Sequence, residues 1–216
     1  MRILAFSDLH GSFGAVEKVL RHEEAFDAVV IGGDLTTHGI SAEASEAVKR
    51  FQLFGRPVVA VAGNMDPPQL DHAFAGLGVS INARGVVIGE AGFFGVSASP
   101  FTPFHTPYEI SEDEIRKRAE AGWAEVGDAR WKIFVPHAPP ANTALDRTFF
   151  GKHVGSTAVR EFIEKQMPDV VVCGHIHEAR GVDSIGKTIM VNCGQAGKGY
   201  YAVVTLADQI TVEMRG

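Results

Sequence analysis

Seven polar residues of this chain share one kind of position. Asp8 and His10 follow the short run 2–6, and Asp34 follows 28–31 after Gly32-Gly33. Asn64 follows 58–61 after Gly63, and His137 follows 132–135. His175 and His177 follow 170–173 after Gly174. The donors are imidazole nitrogens, carboxylates and one amide oxygen, with no thiolate. That mixture suits Mn²⁺, Fe²⁺, Co²⁺, Ni²⁺ or Zn²⁺ rather than Ca²⁺ or Mg²⁺ alone. Seven groups are too many for one tetrahedral ion, but they fit two ions if one carboxylate bridges. Two ions about 3.5–4 Å apart are the usual device for displacement at phosphorus.

For these residues to meet, each preceding run must be a strand ending at a common crevice, where open α/β sheets place their ligands. The sequence predicts strands at 2–6, 28–31, 58–61, 132–135 and 170–173. Helical patterns lie between them at 14–24, 42–54, 112–126 and 156–165. Ser111 and Glu114 form a capping box ahead of the third helix. Residues 84–89 and 92–97 read as strands paired around a turn. From Gly181 on, 188–192, 201–206 and 210–213 read as antiparallel strands, with Asp208-Gln209 at a tight turn. Strand–helix alternation followed by a run of strands gives an α/β protein, a mixed sheet system with helices outside. No repeat or linker divides the chain, and 1–216 is expected to be a single domain. The long loops 97–110 and 138–155 are of the kind that usually carry function.

Composition narrows the partners. The 216 residues hold 20 Lys+Arg against 26 Asp+Glu, a formal charge of −6. Bulk electrostatic binding of nucleic acid is thereby disfavoured. The 2 cysteines, Cys173 and Cys193, make neither a disulfide framework nor a thiolate cluster, and read as small buried side chains. No secretory signal or membrane helix is expected, which points to a cytoplasmic protein. Self-association, as a homo-oligomer, stays open.

The motifs Asp8-Leu9-His10, Gly32-Gly33-Asp34, Gly63-Asn64, His137 and Gly174-His175-Ile176-His177, in this order and spacing, resemble the calcineurin-like metallophosphoesterases. His137-Ala138-Pro139-Pro140, His153-Val154-Gly155-Ser156 and Glu178 after His177 are similar to small prokaryotic members. The resemblance implies two mixed β-sheets packed as a sandwich flanked by helices. It implies that Asp8, His10 and His177 hold one divalent ion, that Asn64, His137 and His175 hold the second, and that Asp34 bridges. Asp34, Asn64 and His137 are the expected catalytic residues. The implied activity is hydrolysis of a small phosphomonoester or phosphodiester by a metal-bridging hydroxide. Such a centre is net positive inside an acidic chain, so it can attract an anionic ester. The alternatives are a non-catalytic protein-binding scaffold of the same fold, which tends to erode the ligand set, and a nuclease, which needs a basic groove.

One position departs from the family pattern. Many members carry His directly after the motif asparagine, and this chain has Met65, whose thioether has no proton to give. His38, His105 and His153 lie in loops within conceivable reach. His22 and His72 read as structural. Phe93, Phe94, Phe101, Phe104 and Tyr108 are set out either as a pocket for a base or aryl group or as core. Phe149 and Phe150 stand beside Arg147 and Lys152, cations for a second phosphate or for solvent. Ser156 is expected to cap a helix, and the charged residues from Glu112 to Arg118 to face water.

Overall fold

A computed structural model describes residues 1–23 and 25–216. The chain begins β1 (Arg2–Phe6), α1 (Phe13–His22), β2 (Ala28–Gly32), α2 (Ser41–Gln52), β3 (Val58–Val61) and α3 (Leu70–Gly76). It continues β4 (Gly85–Ile88), β5 (Ala91–Val96), α4 (Glu112–Glu125), β6 (Trp131–Pro136), α5 (Thr157–Gln166) and β7 (Val170–Cys173). It closes with β8 (Gly181–Ile185), β9 (Thr188–Asn192), β10 (Tyr201–Thr205) and β11 (Thr211–Arg215). The first helix stops at His22 because Glu23 turns extended. The end expected at Glu24 lies outside the described residues. α3 is a 7-residue helix after Pro67-Pro68, too short to show a period in the sequence.

These elements form two mixed sheets with helices outside, the α/β sandwich expected. One sheet has the order β11-β10-β1-β2-β3, the other β4-β5-β6-β7-β9-β8. β1, β2 and β3 are parallel, as are β5, β6, β7 and β9. The antiparallel strands lie towards the edges. Strands buried on both faces need no polar side, which is why the sequence shows them as unbroken apolar runs. Alternation still sorts the side chains. Ile3 and Ala5 meet Ile133, Val135 and Val172 between the sheets. Leu4 and Phe6 join Val16, Val48 and Phe74 under α1–α3, and Phe134 and Val171 join Ile115 and Phe162 under α4 and α5.

The carboxyl-terminal strands are not one antiparallel set. β9 runs parallel to β7 in the second sheet, whereas β10 enters the first sheet beside β1. The chain crosses between sheets after Cys193, and Ala196 N–H donates to Ser7 O at 3.0 Å on the way. The β10–β11 hairpin is antiparallel as read, and β8, which the sequence did not show as a strand, pairs antiparallel with β9, but nothing local in β9 distinguishes a parallel partner from an antiparallel one. Cys173 and Cys193 are free and fully buried. Among the described residues no helix is long and apolar enough to cross a membrane.

Candidate metal centre

All seven residues of the sequence reading lie together at the carboxyl ends of β1, β2, β3, β6 and β7. The first sheet brings Asp8, His10, Asp34 and Asn64, and the second brings His137, His175 and His177, so the cluster sits on the seam between the sheets. Reaching it costs backbone strain. Asp8, His10, Asp34 and His175 have φ of 54°, 46°, 51° and 68°. That region disfavours a side chain by about 1–2 kcal/mol per residue, and such outliers gather where function requires them. Close approach depends on glycine at two loops in particular. A Cβ on Gly63 would overlap Asp34 Oδ1, and one on Gly174 would overlap Ser7 Oγ and Asp8 Oδ2.

Asp8, His10, Asp34 and His177 each offer one donor atom, all within 4.8 Å of one another. His10 Nε2 faces His177 Nε2 at 3.2 Å, and His177 Nε2 lies 3.3 Å from Asp8 Oδ1. Alongside, Asn64 Oδ1 stands 3.0 Å from His137 Nε2 and 2.7 Å from His175 Nδ1. Asp34 is common to both halves. Its Oδ1 is 3.5 Å from His137 Nε2 and its Oδ2 is 3.8 Å from His10 Nε2.

Neighbouring groups fix the orientation of these ligands. His137 Nδ1 lies 2.7 Å from Gly32 O. A carbonyl only accepts, so Nδ1 carries a proton, and Nε2 is the nitrogen turned inward, free to ligate once its own proton is displaced. His10 Nδ1 is held by Thr37 Oγ1 at 2.7 Å. Partners of this type set tautomer and orientation around metals. Asp66, not among the residues singled out from the sequence, is fully buried and ties the loops together. Its carboxylate accepts from Gly63 N, Leu35 N, Thr36 N and Thr36 Oγ1 at 2.7–3.1 Å. Its place two residues after Asn64 was the available signal.

The electrostatics call for positive charge. Burial opposes protonation of His137, but the Asp34 carboxylate overrides it and pushes the pKa up to about 9. Burial and then the neighbouring His137 hold His175 down to about 4. Burial, reinforced by the charge of Asp34, lifts Asp66 to about 6 in spite of its hydrogen bonds. Lone pairs and carboxylates thus converge with few donors between them. Such a set attracts positive charge, a proton on His137 or a divalent cation in its place.

The remaining candidates divide. Phe93 is buried between the sheets and Phe94 under α4 and α5, because neighbours on β5 point to opposite faces. Tyr108 belongs to the first sheet's outer core. Phe101 and Phe104 stay exposed and line a cavity with Asn64 and His175. Phe149, Phe150, Arg147 and Lys152 do not line that cavity, and neither do His38, His105 or His153. His153 Nδ1 is 2.7 Å from the buried Asp146. Ser156 caps α5 by accepting from Val159 N at 3.1 Å. Glu112, expected to face solvent, instead turns to α5 and accepts from Thr157 N and Ala158 N, both at 3.0 Å, and from Ser156 Oγ.

A family profile described as Calcineurin-like phosphoesterase matches residues 1–179, a span that includes all seven site residues. The chain is 31% identical over 217 residues to an uncharacterized protein of Methanocaldococcus jannaschii, MJ1162, covering 99% of this chain and 96% of that one. Among solved structures, the protein TT1561 of Thermus thermophilus is similar with a TM-score of 0.76 at 20% identity, covering 98% and 97% of the two chains. A dimetal phosphatase from Danio rerio is similar with a TM-score of 0.65 at 10% identity, over 100% and 96%. At these identities the two structural likenesses speak for the fold.

Proposed function

The chain belongs to the calcineurin-like phosphoesterase family, and from that premise we propose that it is a dinuclear metal-dependent hydrolase of a small phosphomonoester or phosphodiester. The observation that carries this reading is the placement of Asp34. One carboxylate oxygen faces His137 and the other faces His10, so a single side chain addresses both halves of the cluster. Asp8, His10 and His177 complete one half, and Asn64, His137 and His175 the other.

Two divalent ions bound there supply a hydroxide nucleophile at neutral pH and absorb the charge that grows on the phosphoryl oxygens. The protein's own contribution is to hold the donors ready. Gly32 O accepts from His137 Nδ1 and keeps Nε2 aimed inward. Met65 N–H donates to Asp34 Oδ1 at 2.8 Å and steadies the shared carboxylate. Asn64, Asp34 and His137 are the residues to which the proposal assigns the ester's side of the centre. Asp66 keeps the loop bearing Asn64 in register with the loop bearing Asp34. A non-catalytic scaffold has no use for four strained, ligand-bearing positions, and here no donor of the set is eroded.

The test is metal stoichiometry read beside hydrolysis of bis(p-nitrophenyl) phosphate with Mn²⁺. The wild-type chain should bind two ions and release p-nitrophenolate. Asp8→Ala should lose one ion, whereas Asp34→Ala should lose both along with the activity. A wild-type chain that binds fewer than two ions, or binds two and cuts nothing, overturns the proposal.

A further inference from the structure

Beside Asn64 and His175 opens a cavity of about 500 Å³. The 97–110 loop supplies one wall with Phe101, Pro103 and Phe104, and Val154 and Ile176 supply another. Among the described residues Glu112 is the only acid lining it, and that carboxylate is already committed to the first turn of α5. No Lys or Arg among the described residues lines it, so it offers no fixed positive charge to a second phosphate. Phe101 and Phe104 are 70% and 84% exposed. Thr102, Thr106 and Thr148 add hydroxyls to the lining, but its exposed surface is mostly apolar, and large aromatic rings left in water beside such a cavity mark a binding surface.

The loop that carries the rings is tied down by hydrogen bonds. Glu109 ties its loop by accepting from Thr102 N and Oγ1 and from Thr106 N and Oγ1 at 2.6–3.0 Å. Tyr108 N–H donates to Asn64 O at 3.0 Å, which fastens the loop directly to the metal centre. Across the cavity, Asp146 organises the 138–155 loop by accepting from Asn142 N, Thr143 N and Gly155 N. Preorganised walls of this kind bind without the cost of ordering them.

We infer that this cavity is the subsite for a bulky, uncharged apolar group of the phosphate ester, selected by Phe101 and Phe104. The inference rests on the phosphoester reading of the adjacent centre but is tested by binding alone. The probes are methyl-, octyl-, 1-naphthyl- and 2-carboxyethylphosphonate, titrated calorimetrically into the Mn²⁺-loaded protein. Covering one such ring is enough for an advantage of about tenfold. The naphthyl or octyl compound should therefore bind at least about tenfold tighter than methylphosphonate, and the carboxyethyl compound no tighter. Whichever of the two binds better identifies the group as aromatic or aliphatic. F101A/F104A should abolish the advantage, and F149A/F150A, outside the cavity, should keep it. Equal affinity for the methyl, octyl and naphthyl probes overturns the inference, as does an advantage that survives in F101A/F104A or disappears equally in both pairs. Phe-dependent naphthyl binding in a protein that cuts no ester upholds the subsite and overturns the hydrolase reading instead.

Discussion

Met65 separates what its backbone does from what its side chain does. The N–H donates to Asp34 Oδ1, and the carbonyl accepts from His38 N at 3.2 Å, so any residue here would serve the scaffold. The side chain alone decides whether a proton is available to the departing oxygen. General acid catalysis is typically worth about 10²–10⁴-fold, and it matters most for a poor leaving group. Alkyl esters should therefore turn over slowly and aryl esters faster. Met65→His should raise kcat for alkyl esters by at least about tenfold and change aryl esters much less. The comparison is of kcat for a methyl and a p-nitrophenyl leaving group in both proteins, and a uniform change across the pair would contradict it. His153, another candidate acid, is bound through Nδ1 to Asp146 and lines no part of the cavity.

The two long loops show how a single acid can hold a segment that has no regular structure. Burial works against ionisation of Glu109, yet its hydrogen bonds from Thr102 and Thr106 hold the pKa down at about 2. The folded value is lowered, so the stabilisation is complete above the ordinary 4.5 and fades as pH falls towards 2. Glu109→Ala should release the loop while leaving the sheets intact. Limited proteolysis at neutral pH should then cut within 100–107 several-fold faster than in the wild type, with circular dichroism unchanged. Equal cleavage rates would show that Glu109 does not hold the loop. These ties were invisible in the sequence because an isolated acid in a loop has no period and its partners are hydroxyls and amides. The seven-residue cluster was legible because each member lies within four residues of the end of a short apolar run, often behind a glycine. The sheet assignment of β9 and β10 was not, since an apolar run buried on both faces reads alike beside either neighbour. Glu112 was misread for a related reason. The i, i+3 and i, i+4 charge pattern of α4 describes a solvated face, and only the packing of α5 turns one of its acids inward.

At the scale of the molecule, the centre joins two sheets that otherwise meet through apolar contacts. Its proposed ligands come from both, so bound ions would act as a clasp across the sandwich and add stability according to their occupancy. The metal-free protein should carry a distinct pH signature. His175 is held at about 4, below its ordinary 6.5, so its contribution is complete above 6.5 and is lost as pH falls towards 4. His137 is raised to about 9, so its contribution is complete below 6.5 and is lost as pH rises through 9. Asp34, lowered mainly by His137 against its burial, reinforces the pairing above its ordinary 3.8. Together they place the stability optimum of the stripped protein close to pH 6.5. Ligation requires neutral imidazole, so metal competes with protons on the acid side and removes the need for a charged His137 on the alkaline side. Melting temperatures from pH 4 to 10, for chelator-treated and Mn²⁺-loaded protein, should therefore diverge most above pH 8 and converge as the pH approaches 4. Two curves displaced by a constant amount across that range would mean that the ions sit away from His137.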